Sequence, residues 1–259
     1  MAKFSERLDK LLVDKGFAPT RERAQSLVLA AKVLVNGQIL TKAGQKVAED
    51  SQISIIGDPI PYVSRGGLKL EHAIREFSID VSGRIAMDVG ASTGGFTDCL
   101  LSFGARRVYA VDVGYGQLAL KLRNDPRVIA LERQNIRYLP VELVPEPIQI
   151  ATIDTSFISL KLVIPPVCNF LETEAVLVAL IKPQFEAGRE QVSKGAGVIR
   201  DARIHEEVCG SLSEFATGLG LEVIGIIPSP ILGPKGNREF LMAAVGPFAS
   251  QKRKGRGQN

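Results

Sequence analysis

The chain has 259 residues, of which 45% are hydrophobic and 23% charged, with a formal net charge of +4. Its three cysteines lack the spacing of a zinc site, its two histidines offer little material for a metal centre, and no apolar run reaches the roughly 18 residues that a membrane span needs. These features argue against a disulfide scaffold, a metalloprotein and an integral membrane protein, and the lack of an apolar signal-peptide core at the N-terminus predicts a cytoplasmic location.

Residues 1–60 have the pattern of a small α+β domain. Ser5 is placed to cap a first helix and Thr20 a second one, because their side-chain oxygens can accept a bond from the free amides of a helix N-terminus. The dipeptide Asn36-Gly37 between two short β-rich runs predicts a hairpin, since both turn positions need a positive φ.

The stretch RLDKLLVDKGFAPTRERAQSLVLAAKVLVNGQIL, residues 7–40, resembles the S-four-type RNA-binding domain. The resemblance implies that the helix pair and the hairpin present basic side chains to structured RNA, here Arg7, Arg21, Arg23 and Lys32. Nearby acidic residues almost balance this charge, so RNA binding requires that the two signs lie on different faces. The alternative is a small basic module whose charged side chains are only solvated.

Residues 57–61, GDPIP, predict a linker, after which residues 61–248 alternate between strand and helix patterns. This alternation predicts an α/β fold with a doubly wound, Rossmann-like and mostly parallel sheet, whose ligand sits beyond the C-terminal ends of the strands. Residues 249–259 include KRKGRG without an acidic residue, which predicts a disordered basic tail suited to a polyanion.

The stretch AMDVGASTGGFTDCL, residues 86–100, predicts a strand, a glycine-rich turn and the start of a helix. Ser92 stands where the dinucleotide pattern G-x-G-x-x-G needs its second glycine, and the carboxylate of Asp88 would repel a pyrophosphate. An acid at that position suits a ligand with a cationic end, so the pattern favours S-adenosylmethionine over NAD. Asp112, at the end of the next strand, can bind the ribose hydroxyls of either ligand. The predicted cofactor site comprises Asp88, Gly90, Ser92, Thr93, Gly94, Gly95, Phe96, Asp112 and Asn135.

Three ionisable residues stand at predicted strand ends, where a doubly wound sheet has its crevice. Asp154 ends QIATID, Lys182 ends LVALIK, and Glu239 opens the last strand. A fourth residue, Lys69, lies on the helix before the first strand of this domain. Each has an ordinary alternative as an exposed or capping side chain, but their convergence on one edge of the sheet favours a site.

The stretches YVSRGGLKL, DVGASTGGFTDCLL, DTSFISL, LIKPQFE and NREFLMA together resemble the TlyA proteins, often labelled hemolysin A, which share the fold of FtsJ-type RNA ribose 2′-O-methyltransferases. The resemblance covers nearly the whole chain. It implies a catalytic tetrad of Lys69, Asp154, Lys182 and Glu239, and methylation of a cytidine ribose in ribosomal RNA, free or in a ribosomal subunit. In this tetrad Lys182 would orient the hydroxyl and accept its proton, or would only position it.

Three other functions are compatible with parts of the sequence. A non-catalytic RNA-binding or ribosome-assembly factor could keep the same fold, although the intact tetrad argues against it. Asp88 and Ser92 argue against an NAD-dependent oxidoreductase. A membrane-lytic hemolysin needs a long apolar or strongly amphipathic segment, and the sequence contains neither.

Overall fold

The computed structural model describes residues 5–18, 20–56, 60–188, 195 and 197–246. The chain divides into two compact units, residues 1–60 and 61–259. The basic tail predicted for residues 249–259 lies outside the described residues. No helix within the described ranges combines the length and the apolar character needed to cross a bilayer.

The N-terminal unit combines two helices with short antiparallel strands. Its elements are β1 (Ser5–Arg7), α1 (Leu8–Asp14), α2 (Arg21–Leu29), β2 (Val33–Val35), β3 (Gln38–Ile39), β4 (Lys46–Ala48) and β5 (Ile53–Ile55). One sheet pairs β1 with β4, and the other has the strand order β3-β2-β5. Leu8, Leu12, Ala24, Val28 and Val33 are fully buried and form the centre of its core.

Two of the local predictions for this unit are confirmed and one is wrong. The hydroxyl of Thr20 caps α2 by accepting from the amide of Arg23 at 3.2 Å, and Asn36 and Gly37 form the hairpin turn with φ of 51° and 81°. Ser5 caps no helix, because it lies in β1 and pairs with Ala48. The pairing with β4 keeps the backbone extended up to Arg7, which takes the N-cap position, so α1 begins two residues later than expected.

The second unit is built on a seven-stranded sheet with the order β11-β12-β10-β9-β6-β7-β8. All neighbours are parallel except β12, which runs antiparallel to β10 and β11. The predicted doubly wound, Rossmann-like architecture is therefore confirmed. The strands are β6 (Ile85–Val89), β7 (Arg107–Asp112), β8 (Val128–Glu132), β9 (Ile148–Ile153), β10 (Leu171–Ile181), β11 (Glu222–Pro228) and β12 (Phe240–Val245).

The helices of this unit follow the strand-helix alternation, with two helices that the sequence pattern did not indicate. They are α3 (Gly66–Glu76), α4 (Gly95–Ser102), α5 (Leu120–Arg123), α6 (Leu160–Cys168), α7 (Pro183–Glu186) and α8 (Ala202–Gly218). One is the four-residue α7, which lies where the sequence pattern continues the preceding strand, and the other is α6, which contains Pro165 and Pro166. Proline removes a backbone donor and normally ends a helix, but these two lie near the C-terminal end of α6, where Leu160, Val163 and Ile164 already anchor it in the core.

The strand order reverses between β6 and β9, and the chain is tightly packed at this point. The amide of Asp154 donates to the carbonyl of Val89 at 2.9 Å. Gly90 has a φ of 84°, and a Cβ atom on it would lie 2.7 Å from the carbonyl oxygen of Asp154. Glycine is required here both by the left-handed backbone and by the neighbouring strand. The glycine-rich turn is thereby brought directly beside the end of β9.

Candidate active site

A crevice of about 310 Å³ opens at the edge of the large sheet where β6, β9 and β10 end. Doubly wound sheets bind their ligands at this edge, next to the point where the strand order reverses. Eight residues singled out from the sequence line the crevice: Lys69, Gly90, Ser92, Thr93, Gly95, Phe96, Asp154 and Lys182.

The side chain of Lys182 is held in this crevice by three oxygen atoms. Its Nζ lies 2.6 Å from a carboxylate oxygen of Asp154. It also donates to the carbonyl of Thr155 and to the hydroxyl of Ser156, each at 3.0 Å. Lys182 is only 8% exposed, and charge interactions are stronger at such a poorly hydrated site than in bulk water. The ends of β9 and β10 therefore present a fixed lysine–carboxylate pair to the crevice.

A second lysine–carboxylate pair joins α3 to the start of β12. Lys69 Nζ lies 2.5 Å from Glu239 Oε2, and Glu239 is 2% exposed. Its other oxygen, Oε1, is buried and has no hydrogen-bond partner among the described residues. This oxygen faces Gly233, on which a Cβ atom would lie only 2.0 Å away. The structure thus arranges the four predicted catalytic residues as two ion pairs, of which Lys69–Glu239 is the more deeply buried.

The charge of the crevice is not fully balanced by these pairs. Arg65, which precedes α3, also lines the crevice and is exposed. Within the described residues no carboxylate lies within ion-pair distance of its guanidinium. The charges of the two lysines and the two carboxylates cancel, so the charge of Arg65 makes the crevice positive overall. A positive crevice suits a polyanionic substrate.

The end of β7 forms a smaller hollow beside the crevice. Asp112 lines it together with Ser92, Gln117 and Glu132. The carboxylate of Asp112 accepts from the amide of Ser92 at 2.8 Å and from the amide of Gly114 at 2.7 Å. These bonds fix the carboxylate at a strand end, where it can accept from vicinal ribose hydroxyls as the sequence pattern predicts.

Three of the predicted cofactor residues do not line the crevice or the hollow. Gly94 lies under the turn, with φ 95° and with Leu118 and Leu122 against its Cα. Asn135 is exposed, and its side chain caps the 3₁₀ turn that follows by accepting from the amide of Arg137 at 3.1 Å. The direct contacts expected of these residues are therefore not supported by their positions.

Asp88 is the third, and the structure corrects the role expected for it. It is completely buried and accepts from the hydroxyl of Thr97 at 2.7 Å and from that of Thr152 at 3.1 Å. Its carboxyl group therefore supports the turn from below and does not face a ligand. Burial raises the pKa of Asp88 to about 7, although the two hydroxyl donors favour its charged form.

Replacing Asp88 by asparagine is expected to flatten the pH dependence of stability. Because the folded pKa is raised, Asp88 stabilises the fold fully below its ordinary pKa of 3.8, and this contribution is lost as pH rises through about 7. Each pKa unit corresponds to about 1.4 kcal/mol. Thermal melting between pH 4 and 8 should show the difference. Asp125→Asn is the control, since Arg127 lowers the pKa of that carboxyl group. Parallel pH profiles for wild type and Asp88→Asn would contradict the assignment.

The basic residues of the N-terminal unit fall into two groups. Arg7 and Arg21 both bind the buried carboxylate of Asp9, at 2.9 and 3.0 Å, and the Arg7 guanidinium in particular holds the pKa of Asp9 well below its usual range. Arg23 and Lys32 form no ion pair among the described residues. The first two therefore have a structural task, whereas the charges of Arg23 and Lys32 are available to a ligand.

Several crevice residues were missed by the sequence reasoning, which considered strand-end ions and the glycine turn only. Arg65, Ser156 and Gly233 line the crevice. Phe157 is 90% exposed, has a φ of 65° and contacts the ring of Phe185 at 5.0 Å between centroids. An exposed aromatic ring next to a polar crevice is typical of a surface on which nucleic-acid bases stack. Arg65 lies close in sequence to Lys69, and Ser156 and Phe157 lie close to Asp154. Gly233 is in the loop that leads to Glu239.

The chain matches two protein-family models. Residues 62–245 match the FtsJ-like methyltransferase family, and residues 6–53 match the S4 domain, the S-four-type module expected from residues 7–40. The first match covers the whole large sheet and all four tetrad positions. The second covers both helices and the strands β2, β3 and β4 of the N-terminal unit; it begins at the second residue of β1 and ends at the first residue of β5.

Similar proteins extend over nearly the whole chain. YqxC of Bacillus subtilis, named as an rRNA methyltransferase, is 47% identical and covers 97% of this chain and 90% of its own length. The 16S/23S rRNA (cytidine-2′-O)-methyltransferase TlyA of Mycobacterium tuberculosis is 42% identical over 91% of this chain and 88% of its own. A solved structure described as a hemolysin from Streptococcus thermophilus is 45% identical, with a TM-score of 0.74 over 95% of this chain and 90% of that one.

Proposed function

The chain belongs to the FtsJ-like methyltransferase family, as an S-adenosylmethionine-dependent RNA methyltransferase, and we propose that it methylates the ribose 2′-oxygen of a cytidine in ribosomal RNA. The name of the Mycobacterium tuberculosis relative supports the choice of base and of atom. The observation that carries the proposal is the Lys182–Asp154 pair at the end of β10, which presents an amine to the crevice.

The residues present fit S-adenosylmethionine. The carboxylate of Asp112 is held by two amides at the end of β7 and can accept from a ribose diol. Ser92, in the turn after β6, places a side chain where a dinucleotide phosphate would need a glycine. When bound, the cofactor supplies an electrophilic methyl group on a sulfonium. We propose that Gly90, Ser92, Thr93 and Gly95 hold it against the turn, with Asp88 supporting that turn from below.

The tetrad residues supply orientation and proton transfer. A ribose hydroxyl is a very weak acid and a poor nucleophile, and fixed orientation can contribute roughly 7–11 kcal/mol to its reaction. We propose that Lys182 is the base that takes up the charge of the proton lost from the 2′-hydroxyl, and that Asp154 fixes the direction of the amine. Lys69 and Glu239, held together across the crevice wall, keep the second face of the site rigid.

The proposed activity is tested by mapping ribose methylations on ribosomal RNA. A strain lacking the gene is compared with its parent and with strains complemented by wild type or by Lys182→Ala. We expect one or more cytidine 2′-O-methylations to be absent from the deletion strain and to be restored by wild type only. Restoration by Lys182→Ala would instead favour a non-catalytic RNA-binding factor. Unchanged methylation in the deletion strain would contradict the proposed substrate.

The N-terminal unit is proposed to provide RNA affinity. Replacing both Arg23 and Lys32 by alanine should weaken binding of ribosomal RNA and lower the slope of affinity against salt by up to about two, because each lost phosphate contact releases one counterion fewer. Arg127→Ala with Arg203→Ala is the matched control, since both arginines are ion-paired and lie in the other unit. Cofactor affinity should be unchanged in both variants. Wild-type RNA affinity at every salt concentration would remove Arg23 and Lys32 from the interface.

A further inference from the structure

The number of oxygen atoms around Lys182 restricts how it can act as a base. A lysine ammonium has three N–H donors and no acceptor. Three oxygens lie within 3.0 Å of Nζ, from the side chain of Asp154, the carbonyl of Thr155 and the hydroxyl of Ser156. Nζ hydrogen-bonds to the Thr155 carbonyl and to the Ser156 hydroxyl, whereas the Asp154 oxygen lies at ion-pair distance without a hydrogen bond. Two positions around Nζ are thus occupied by hydrogen bonds, and a substrate proton that travels by way of one of these partners requires the release of neither.

The three oxygens differ in what they can do once Lys182 loses a proton. A carboxylate and a carbonyl only accept hydrogen bonds, whereas a hydroxyl accepts and donates. Ser156 alone can reverse its bond and donate its own hydrogen to the lone pair of a neutral Nζ. After that reversal the lone pairs of Ser156 Oγ are open to another donor. Ser156 lines the crevice and is exposed, so that donor can come from the substrate side.

The position of Ser156 is fixed by contacts that also fix Lys182. Phe157, the next residue, adopts a left-handed φ of 65° and packs on Phe185 of α7, three residues after Lys182. A non-glycine residue in this region is held there only when its surroundings determine it. Glu186 of α7 also accepts from the hydroxyl of Ser159 at 2.6 Å. Contacts between the segment after β9 and α7 thus hold Ser156 and Lys182 in fixed positions relative to each other.

We propose that Ser156 relays the proton from the ribose 2′-hydroxyl to Lys182, a step that rests on the proposed function. As the 2′-oxygen forms its bond to the methyl carbon and the carbon–sulfur bond breaks, the 2′-O–H proton passes to Ser156 Oγ. The hydrogen that Ser156 carried passes at the same time to the neutral Nζ. The products are the methylated ribose, the demethylated cofactor, an intact serine hydroxyl and a lysine ammonium. The relay runs along the 3.0 Å contact between Nζ and Ser156 Oγ that the structure shows.

The test compares Ser156→Ala and Ser156→Thr with wild type in single-turnover methylation at saturating RNA and cofactor. Ser156→Ala should reduce the rate by about 10²-fold, the scale of one positioned acid–base group, without changing the affinity for either ligand. Ser156→Thr retains a hydroxyl and should recover most of the rate. The matched control is Ser211→Ala, because the hydroxyl of Ser211 accepts from Lys161 at 2.8 Å on an exposed surface.

A proton inventory in mixtures of light and heavy water separates a relay from a purely structural role. Two protons in flight should give a curved dependence of the wild-type rate on deuterium fraction, and the residual rate of Ser156→Ala should depend on it linearly. A Ser156→Ala rate within threefold of wild type, a threonine variant as slow as the alanine one, or a linear wild-type inventory would each overturn the relay. These results leave ribose methylation intact, whereas a wild type that methylates only a base would overturn both proposals.

Discussion

Lys182→Ala is expected to abolish detectable methyl transfer while RNA and cofactor still bind. The loss should reach about 10²- to 10⁴-fold, since the Lys182 amine is paired with Asp154 and proton removal is assigned to it. Lys182→Arg should be inactive too, because arginine keeps the charge but cannot be deprotonated in a protein. A role based on charge alone would survive that substitution.

The measurement is single-turnover methylation of ribosomal RNA, with both affinities determined separately. Lys161→Ala is the control, since Lys161 is exposed and its Nζ binds Ser211 and lies over the ring of Phe215. Removing Lys182 leaves the carboxylate of Asp154 without its partner, so thermal melting must show that the variant is folded. A folded Lys182→Ala enzyme with near-wild-type turnover would refute the assignment.

Gly233→Ala should also inactivate the enzyme, although residue 233 carries no reactive group. A Cβ atom there would lie 2.0 Å from Glu239 Oε1 and 2.4 Å from its Cδ, so the carboxylate must shift from the position in which it binds Lys69. The ion pair is buried, and a displaced partner leaves a charge with poor compensation. We expect a loss of at least about tenfold in turnover, the effect of roughly 1.4 kcal/mol on the barrier.

Two variants make this prediction specific. Gly210→Ala in α8 is the control, because nothing lies within 4 Å of the added carbon and its φ is ordinary; it should retain full activity. Combining Gly233→Ala with Glu239→Asp shortens the carboxylate by one methylene and should restore part of the turnover. If Gly233→Ala alone is fully active, the packing of Gly233 on Glu239 does not control the site.

The positions of the proposed catalytic residues at one edge of the sheet could be predicted from the sequence, but their pairing could not. Asp154 and Lys182 end strands that are buried and apolar, so their polar ends stand out in the pattern. Lys69 binds Glu239 rather than Asp154 because β12 enters the sheet beside β10. Lys69 and Glu239 are 170 residues apart in the sequence. A sequence pattern shows which residues end strands, whereas strand order is set by long-range packing.

Asp88 shows a second limit of sequence reasoning. In a sheet covered on both faces, alternate side chains of a strand are all buried, so the pattern cannot tell which face a residue occupies. All five residues of β6 are buried, and the hydroxyls of Thr97 and Thr152, which bind Asp88, belong to a neighbouring helix and strand. The proline-containing α6 was missed for a related reason, because its burial outweighs the local preference of Pro165 and Pro166.

Because β12 runs antiparallel to β11, the loop that joins them lies at the crevice and can change without a change in the sheet. Because β11 ends and β12 begins at the edge of the crevice, the loop of residues 229–239 that connects them contributes to the crevice wall. The two strands remain paired with each other below this loop. Lengthening a surface connection adds little closure entropy, about 0.6 kcal/mol for each doubling. Insertions before Gly233 can therefore reshape the entrance for a different RNA and leave Glu239 in register, so that selectivity and chemistry can diverge independently in evolution.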